Sequence, residues 1–226
     1  MERQIFWLAS YPKSGNTLLR YILTALFFTE DGKFTFDKSE LVSLFDHTVI
    51  VNKNKQIFGN EYDKLGDIKI FYKYLYQLQS RSSLNIKGDF IFFKTHAGLF
   101  KVKSNAFTSM NNTRGIIYLI RDPRDISISM ARHYGVSINK SIDIMFNSNQ
   151  LIEWVQNKKD NKKFTKKTIP KSLMSSWDKH IMSWTSIKNE VPSLILRYED
   201  LVYNKELTLR DLVFFFEKYY NFKFNN

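Results

Sequence analysis

The 226 residues include no cysteine, which excludes disulfides and cysteine-ligated metal sites and fits a reducing, cytoplasmic setting. No apolar run reaches the roughly 18 residues that a membrane span needs. The opening residues show no basic segment followed by an apolar core and a cleavage site, so no secretory leader is expected. No internal repeat is visible. Acidic side chains are outnumbered, 22 against 34 Lys and Arg, and the net charge of +12 favours anionic partners: nucleic acid, acidic lipid or phosphorylated small molecules. Part of that excess is local. "NKKDNKKFTKKTIPK" carries seven lysines between Lys158 and Lys171, and such a charge run reads as a solvated loop in preference to a binding lid. The abundance of Lys, Asn, Ile and Phe points to compositional bias, which weakens any function argued from charge alone.

What is present suffices for one globular domain over residues 1–226, because this length supports a sizeable core and 43% hydrophobic residues can fill it. "IFWLAS" (Ile5 to Ser10) is short, apolar and aromatic, as a buried strand is. After it, "TLLRYILTALFF" places Leu19, Ile22, Leu23 and Leu26 on one helical face. "FIFFKTH" (Phe90 to His96), "GIIYLI" (Gly115 to Ile120) and "SLILRY" (Ser193 to Tyr198) read as further strands. "SELVSLFD", "KIFYKYLYQLQS", "SSWDKHIMSWTSI" and "KELTLRDLVFFFEKYY" read as amphipathic helices. In "RDPRDISISMARHYG" the helix boundaries are marked. Asp122 can cap, Pro123 suits the first position, Asp125 complements the dipole, and Gly135 can end the helix. Short apolar strands alternating with helices predict an α/β fold with a central parallel sheet between two helical layers. Ligands of such sheets bind beyond the carboxyl ends of the strands, where Lys13, His96, Arg121 and Tyr198 fall.

"SYPKSGNT" (Ser10 to Thr17) joins the first strand to the first helix. A glycine-containing turn at a helix N-terminus is an anion site, since free N–H groups and the helix dipole both favour phosphate. Against the pattern G-x-x-x-x-G-K-[ST], aligning Gly15 and Thr17 puts Asn16 at the lysine and Ser10 at the first glycine. The lysine instead stands two residues earlier, at Lys13. A kinase would also need acidic ligands for magnesium, and Glu199-Asp200 is the one acidic pair that follows a strand closely.

Four junctions occur in order: "YPKSGNT", "FFKTH", "YLIRDPRDISISM" and "LRYEDL". Together they resemble the sulfotransferases that use 3′-phosphoadenosine 5′-phosphosulfate (PAPS), over roughly Ile5 to Tyr220. That family has a P-loop NTPase-like α/β/α fold, a Tyr-Pro-Lys-Ser-Gly loop, a Lys-Thr-His strand end, and an Arg followed eight residues later by a Ser. The resemblance implies donor binding by Lys13, Ser14, Gly15, Asn16 and Thr17 at the 5′ end, and by Arg121 and Ser129 at the 3′-phosphate. It implies adenine contact at Tyr198 and catalytic roles for His96, Lys13 and Lys94. The chemistry suits those residue types. A neutral imidazole can take the acceptor's proton, a cation can meet charge growing on the leaving phosphate, and Lys94 shares a strand face with His96. The acceptor is expected to be a small molecule or glycan, with no nucleic acid partner and no metal.

Three features depart from the pattern. Asn16 replaces a threonine, Leu18 replaces a tryptophan that stacks on adenine, and the chain ends at Asn226 before an Arg-Lys-Gly-like segment that covers the donor. Arg20, Arg132 and the lysines of 158–171 are candidates to replace its contacts. His47, His133 and His180 lack the Lys-Thr-His context and read as structural. Arg121 has an alternative as an ion pair with Asp122 or Asp125, and Tyr198 as a core residue. Residues 30–87 and 135–175 are expected to build the acceptor pocket, with Phe71, Tyr72, Tyr74 and Tyr76 either lining it or filling the core. The rival readings are a small-molecule kinase and a non-catalytic basic domain that binds nucleotide or nucleic acid.

Overall fold

The computed structural model describes residues 3–38, 41–44, 47–86, 88–153 and 168–224. Its centre is a parallel sheet in the order β2 (Ser43–Leu44), β3 (Ile91–Thr95), β1 (Ile5–Ser10), β6 (Thr113–Ile120), β9 (Ser193–Arg197). All six residues of β1 are buried, as expected of a central strand covered on both faces. Alternation along it divides the core. Ile5, Trp7 and Ala9 join one cluster with Phe93, Ile116 and Tyr118, whereas Phe6 and Leu8 join another with Phe92, Ile117 and Leu119.

Each face is closed by helices with matching apolar stripes. α1 (Asn16–Phe28) supplies Leu19 and Leu23 to the Phe6 side, and α9 (Lys205–Tyr220) supplies Leu212, Phe215 and Phe216. On the Trp7 side lie Phe71, Tyr72, Leu75 and Leu78 of α3 (Ile68–Leu78) and Trp184 of α7 (Trp177–Thr185). Removing one fully buried ring from such a core costs about 3–5 kcal/mol. A smaller cluster of Tyr11, Ile126, Met130, Met145 and Met174 joins the loop after β1 to α5 (Pro123–Tyr134) and α6 (Ile138–Phe146). Shorter pieces complete the fold: α2 (His47–Lys53), α4 (Arg81–Leu84), α8 (Tyr198–Tyr203), and the antiparallel pairs β4 (Lys101–Val102) with β5 (Asn105–Ala106) and β7 (Leu151–Glu153) with β8 (Lys171–Leu173).

The register positions the site. Ala9 pairs with Thr95, Ser10 with Leu119, and Leu119 in turn with Leu196. Four strands therefore end at one edge, and the next few residues of each chain segment emerge side by side.

One element differs from expectation. The spacing in "SELVSLFD" predicts a helix, but Ser43 and Leu44 pair in parallel with Phe93 and Lys94 as an edge strand. Val42 is fully buried in the Phe6-side cluster, so sheet-edge pairing and burial override the helical spacing. Residues 39–40 and 45–46 of that stretch lie outside the described residues, as do Lys158 to Lys167 of the lysine run; Lys171 sits in β8, 3.1 Å from Glu153. Of the α3 aromatics, Phe71, Tyr72 and Tyr74 pack in or against the core, whereas Tyr76 is exposed and borders a surface cavity with Leu99 and Phe100. Phe71 and Tyr72 are buried, the Tyr72 hydroxyl accepts from Leu173 N, and Tyr74 donates to Glu61.

Candidate active site

Between β1 and α1 the chain turns through two left-handed residues, Lys13 at φ 67° and Gly15 at φ 92°. Glycine is required at the second for two reasons: that conformation, and a Tyr198 ring carbon 2.2 Å from where a Cβ would stand. Gly15 also caps α1, with no side-chain acceptor and no acidic residue in the first turn. Leu18 N bonds to Gly15 O, but the N–H groups of Gly15, Asn16 and Thr17 have no acceptor among the described residues. The buried Ser14 hydroxyl has none either. An unfilled set of donors at a helix N-terminus suits an anion. The Asn16 side chain turns away from this face: its Nδ2 donates to Leu8 O and Ser10 Oγ, both at 3.0 Å, which leaves its backbone N–H as its donor for an anion.

His96 follows β3 directly. Its Nδ1–H donates to Ser10 O at 2.8 Å, which assigns the lone pair to Nε2. Burial and the neighbouring Lys94 hold its pKa well below 6.5, so the ring is neutral at pH 7. Lys94 itself is lowered to about 8 by burial, with Arg20 and Lys13 adding repulsion. Arg20 donates through Nε to Val42 O at 2.6 Å.

Arg121, at the end of β6, has three engagements. Nη1 donates to Lys13 O at 2.9 Å, the guanidinium stacks 4.2 Å from the Tyr198 ring centre, and Asp125 lies 3.7 Å from Nη2. The arginine thereby ties the anion loop to β9's exit, while its buried Nε has no partner among the described residues. Asp122 N donates to Glu199 at 2.9 Å, a second tie between the same two strand ends. α5 begins as its sequence indicates. Asp122 accepts from Arg124 N, Pro123 takes the first position, and Gly135 closes the helix in the left-handed conformation.

These residues share a cleft of about 540 Å³ lined by Lys13, Gly15, Asn16, Thr17, Lys94, His96, Arg121, Ser129 and Tyr198, with Ser14 buried beneath the loop. Every residue to which the resemblance gives a donor-binding or catalytic role is at this one place, whereas Arg20 and Arg132, named as substitutes for the covering segment, are not among its lining residues. Four more residues line it without such an assignment: Pro12, Leu18, His133 and Tyr134. His133 stands four residues after Ser129, one helical turn, and that spacing was the available signal. His180, also read as structural, is fully buried behind the cleft and bonds to His96 O. The side chain of His47 is outside the described set. Among the described residues no cluster of His, Cys, Asp or Glu could hold a metal ion, and no helix is long and apolar enough to cross a membrane.

Comparison with solved structures finds the same fold. Mouse sulfotransferase SULT7A1 complexed with PAP (adenosine 3′,5′-bisphosphate) is similar at 16% identity and a TM-score of 0.51, over 95% of this chain and 58% of that one. Retinol dehydratase with androsterone and the inactive cofactor PAP is similar at 15% identity and a TM-score of 0.54, over 95% of this chain and 60% of that one. Its complex with retinol and PAP gives 16%, 0.52, 95% and 60%. The chain thus spans about three fifths of the length of these proteins. No curated protein matches it by sequence. A family model described as the sulfotransferase domain covers residues 3–222, nearly the whole chain, and by that match the chain belongs to the sulfotransferase domain family.

Proposed function

We propose that the protein transfers a sulfuryl group from PAPS to a hydroxyl or amine of a small-molecule or glycan acceptor. The observation that carries this is the convergence, in one cleft, of an uncapped helix N-terminus, two lysines, a neutral histidine and an arginine. PAPS is an adenine nucleotide with phosphates at both ends, and the cleft has unpartnered donors to match. The N–H groups of Gly15, Asn16 and Thr17, with Ser14 and Thr17 side chains, would hold the 5′-phosphosulfate. Arg121 and Ser129 would take the 3′-phosphate, and Tyr198, Leu18 and Tyr134 would border the base. Bound there, the donor supplies an activated S–O bond.

The chain's own residues do the rest. His96 Nε2 takes the acceptor's proton as the acceptor oxygen or nitrogen bonds to sulfur and the S–O bond to phosphate breaks. Lys13 and Lys94 place positive charge where the leaving phosphate gains negative charge. The absence of cysteine fits a reducing compartment, and the reading places the reaction in the cytosol.

Thermal-shift titration in metal-free buffer separates the rivals. PAP is expected to stabilise the protein without magnesium, by about 2.7 kcal/mol at a hundredfold excess over Kd. A larger shift with ATP–magnesium would favour the kinase, and one with an oligonucleotide that fades steeply with salt would favour the basic binding domain.

The alkaline limb of the rate should report Lys94. Its charge is present below about pH 8 and lost above it, because its folded pKa is depressed, whereas His96 stays neutral across that range. Transfer is expected to fall as pH climbs through 8, and Lys94→Arg should move that limb upward. An unmoved limb would remove Lys94 from catalysis.

A further inference from the structure

We propose that His180 is a positioning residue for His96, acting through the backbone that carries the base; this rests on the sulfotransfer reading for its kinetic consequence but not for its geometry. α7 presents three side chains to the segment just beyond β3, at helical spacings of three and four. His180 Nε2–H donates to His96 O at 3.2 Å, Ser183 Oγ accepts from Leu99 N at 3.0 Å, and Trp184 Nε1–H donates to Ala97 O at 2.9 Å. Residues 96 to 99 are thus fastened from one helix face. His96's ring is separately fastened by Ser10 O on β1. Backbone and ring of the base are held by different elements.

The hydrogen-bond pattern fixes His180 in one form. A carbonyl can only accept, so Nε2 carries the hydrogen and Nδ1 carries the lone pair, which accepts from the Tyr118 hydroxyl at 2.7 Å. Tyr118 is on β6, and burial keeps its hydroxyl protonated. The Tyr11 ring meets His180 edge to face at 5.5 Å. Burial lowers His180 to about 4, so it stays neutral wherever the enzyme works. The groups facing the pair are Tyr118 from β6, Tyr11 and Lys13 from the loop, Ser10 from β1 and Lys94 from β3. A fully buried neutral imidazole with both nitrogens committed, one of them to the base's own carbonyl, is a scaffold for orientation and not a second proton carrier.

The test uses His180→Leu, which deletes both bonds, His180→Gln, whose amide can still donate to His96 O, and Tyr118→Phe, which removes the tautomer anchor. A misplaced base costs about a hundredfold in rate. His180→Leu is therefore expected to lower kcat by tens to a hundredfold with the KM for PAPS unchanged, His180→Gln to recover most of it, and Tyr118→Phe to fall between. Nitrogen-15 spectra of the histidines give a second readout that needs no activity. In the wild type His96 should show one tautomer, hydrogen on Nδ1, and in His180→Leu an average of two. If His180→Leu keeps wild-type kcat and a single His96 tautomer, or if folded His180→Gln is as impaired as His180→Leu, the role is wrong. If the wild type transfers no sulfuryl group, the functional reading fails while the spectra still decide the positioning.

Discussion

His96→Ala is expected to abolish measurable sulfuryl transfer while leaving PAP affinity near that of the wild type. General-base catalysis is worth about 10²–10⁴-fold, and within the cleft His96 is placed at the C-terminal end of β3 with its basic nitrogen assigned to Nε2. Its depressed pKa means that at pH 7 almost all of the protein already holds the neutral ring, so no activity is lost to protonation until pH falls well below 6.5. The anchors proposed for the donor are elsewhere, in the loop and at Arg121 and Ser129. Single-turnover assays beside calorimetric titration with PAP separate the two quantities. Retained transfer would show that another group takes the proton.

Gly15→Ala should be the most damaging single change in the donor loop. An alanine at φ 92° incurs about 1–3 kcal/mol of backbone strain. Its methyl would also stand 2.2 Å from Tyr198 Cδ2, and that ring is itself held by the Arg121 guanidinium 4.2 Å away. Relief by moving Tyr198 would disturb Arg121 and, through it, Lys13 O. Loss of stability by about 2–4 kcal/mol and a large drop in PAP affinity are expected, read by chemical denaturation and calorimetry. The double variant Gly15→Ala/Tyr198→Ala should be less destabilised than the sum of the singles, since the second change removes the clash that the first creates. Additive losses would mean that the ring and the loop are not in contact.

Much of this arrangement was legible beforehand, and the reasons are physical. β1 and α9 fall on the residues their apolar pattern marks, because a fully buried strand shows as a short unbroken apolar run and α9 brings Leu212, Phe215 and Phe216 to one face at helical spacing. α5 was readable at both ends, since Asp122, Pro123 and Gly135 each satisfy a specific terminal need. The site was legible as four short strings at strand ends, and parallel register brings strand ends together whatever lies between them. Less was visible where tertiary contacts decide. The two-residue strand at Ser43–Leu44 is too short to show a period, and the inward turn of the Asn16 amide depends on acceptors at Leu8 and Ser10 that no spacing rule predicts. His180 looked like one more core histidine; its bond to His96 joins residues 84 apart.

The central claim is that one cleft grips a doubly phosphorylated adenosine at both ends, and a crystal structure of the PAP complex tests it most directly. The 5′-phosphate is expected on the N–H groups of Gly15, Asn16 and Thr17 beside Lys13, with the 3′-phosphate at Arg121 and Ser129 and His96 open to the acceptor side. PAP found at another surface, or with its 3′-phosphate pointing into solvent away from Arg121, would contradict it.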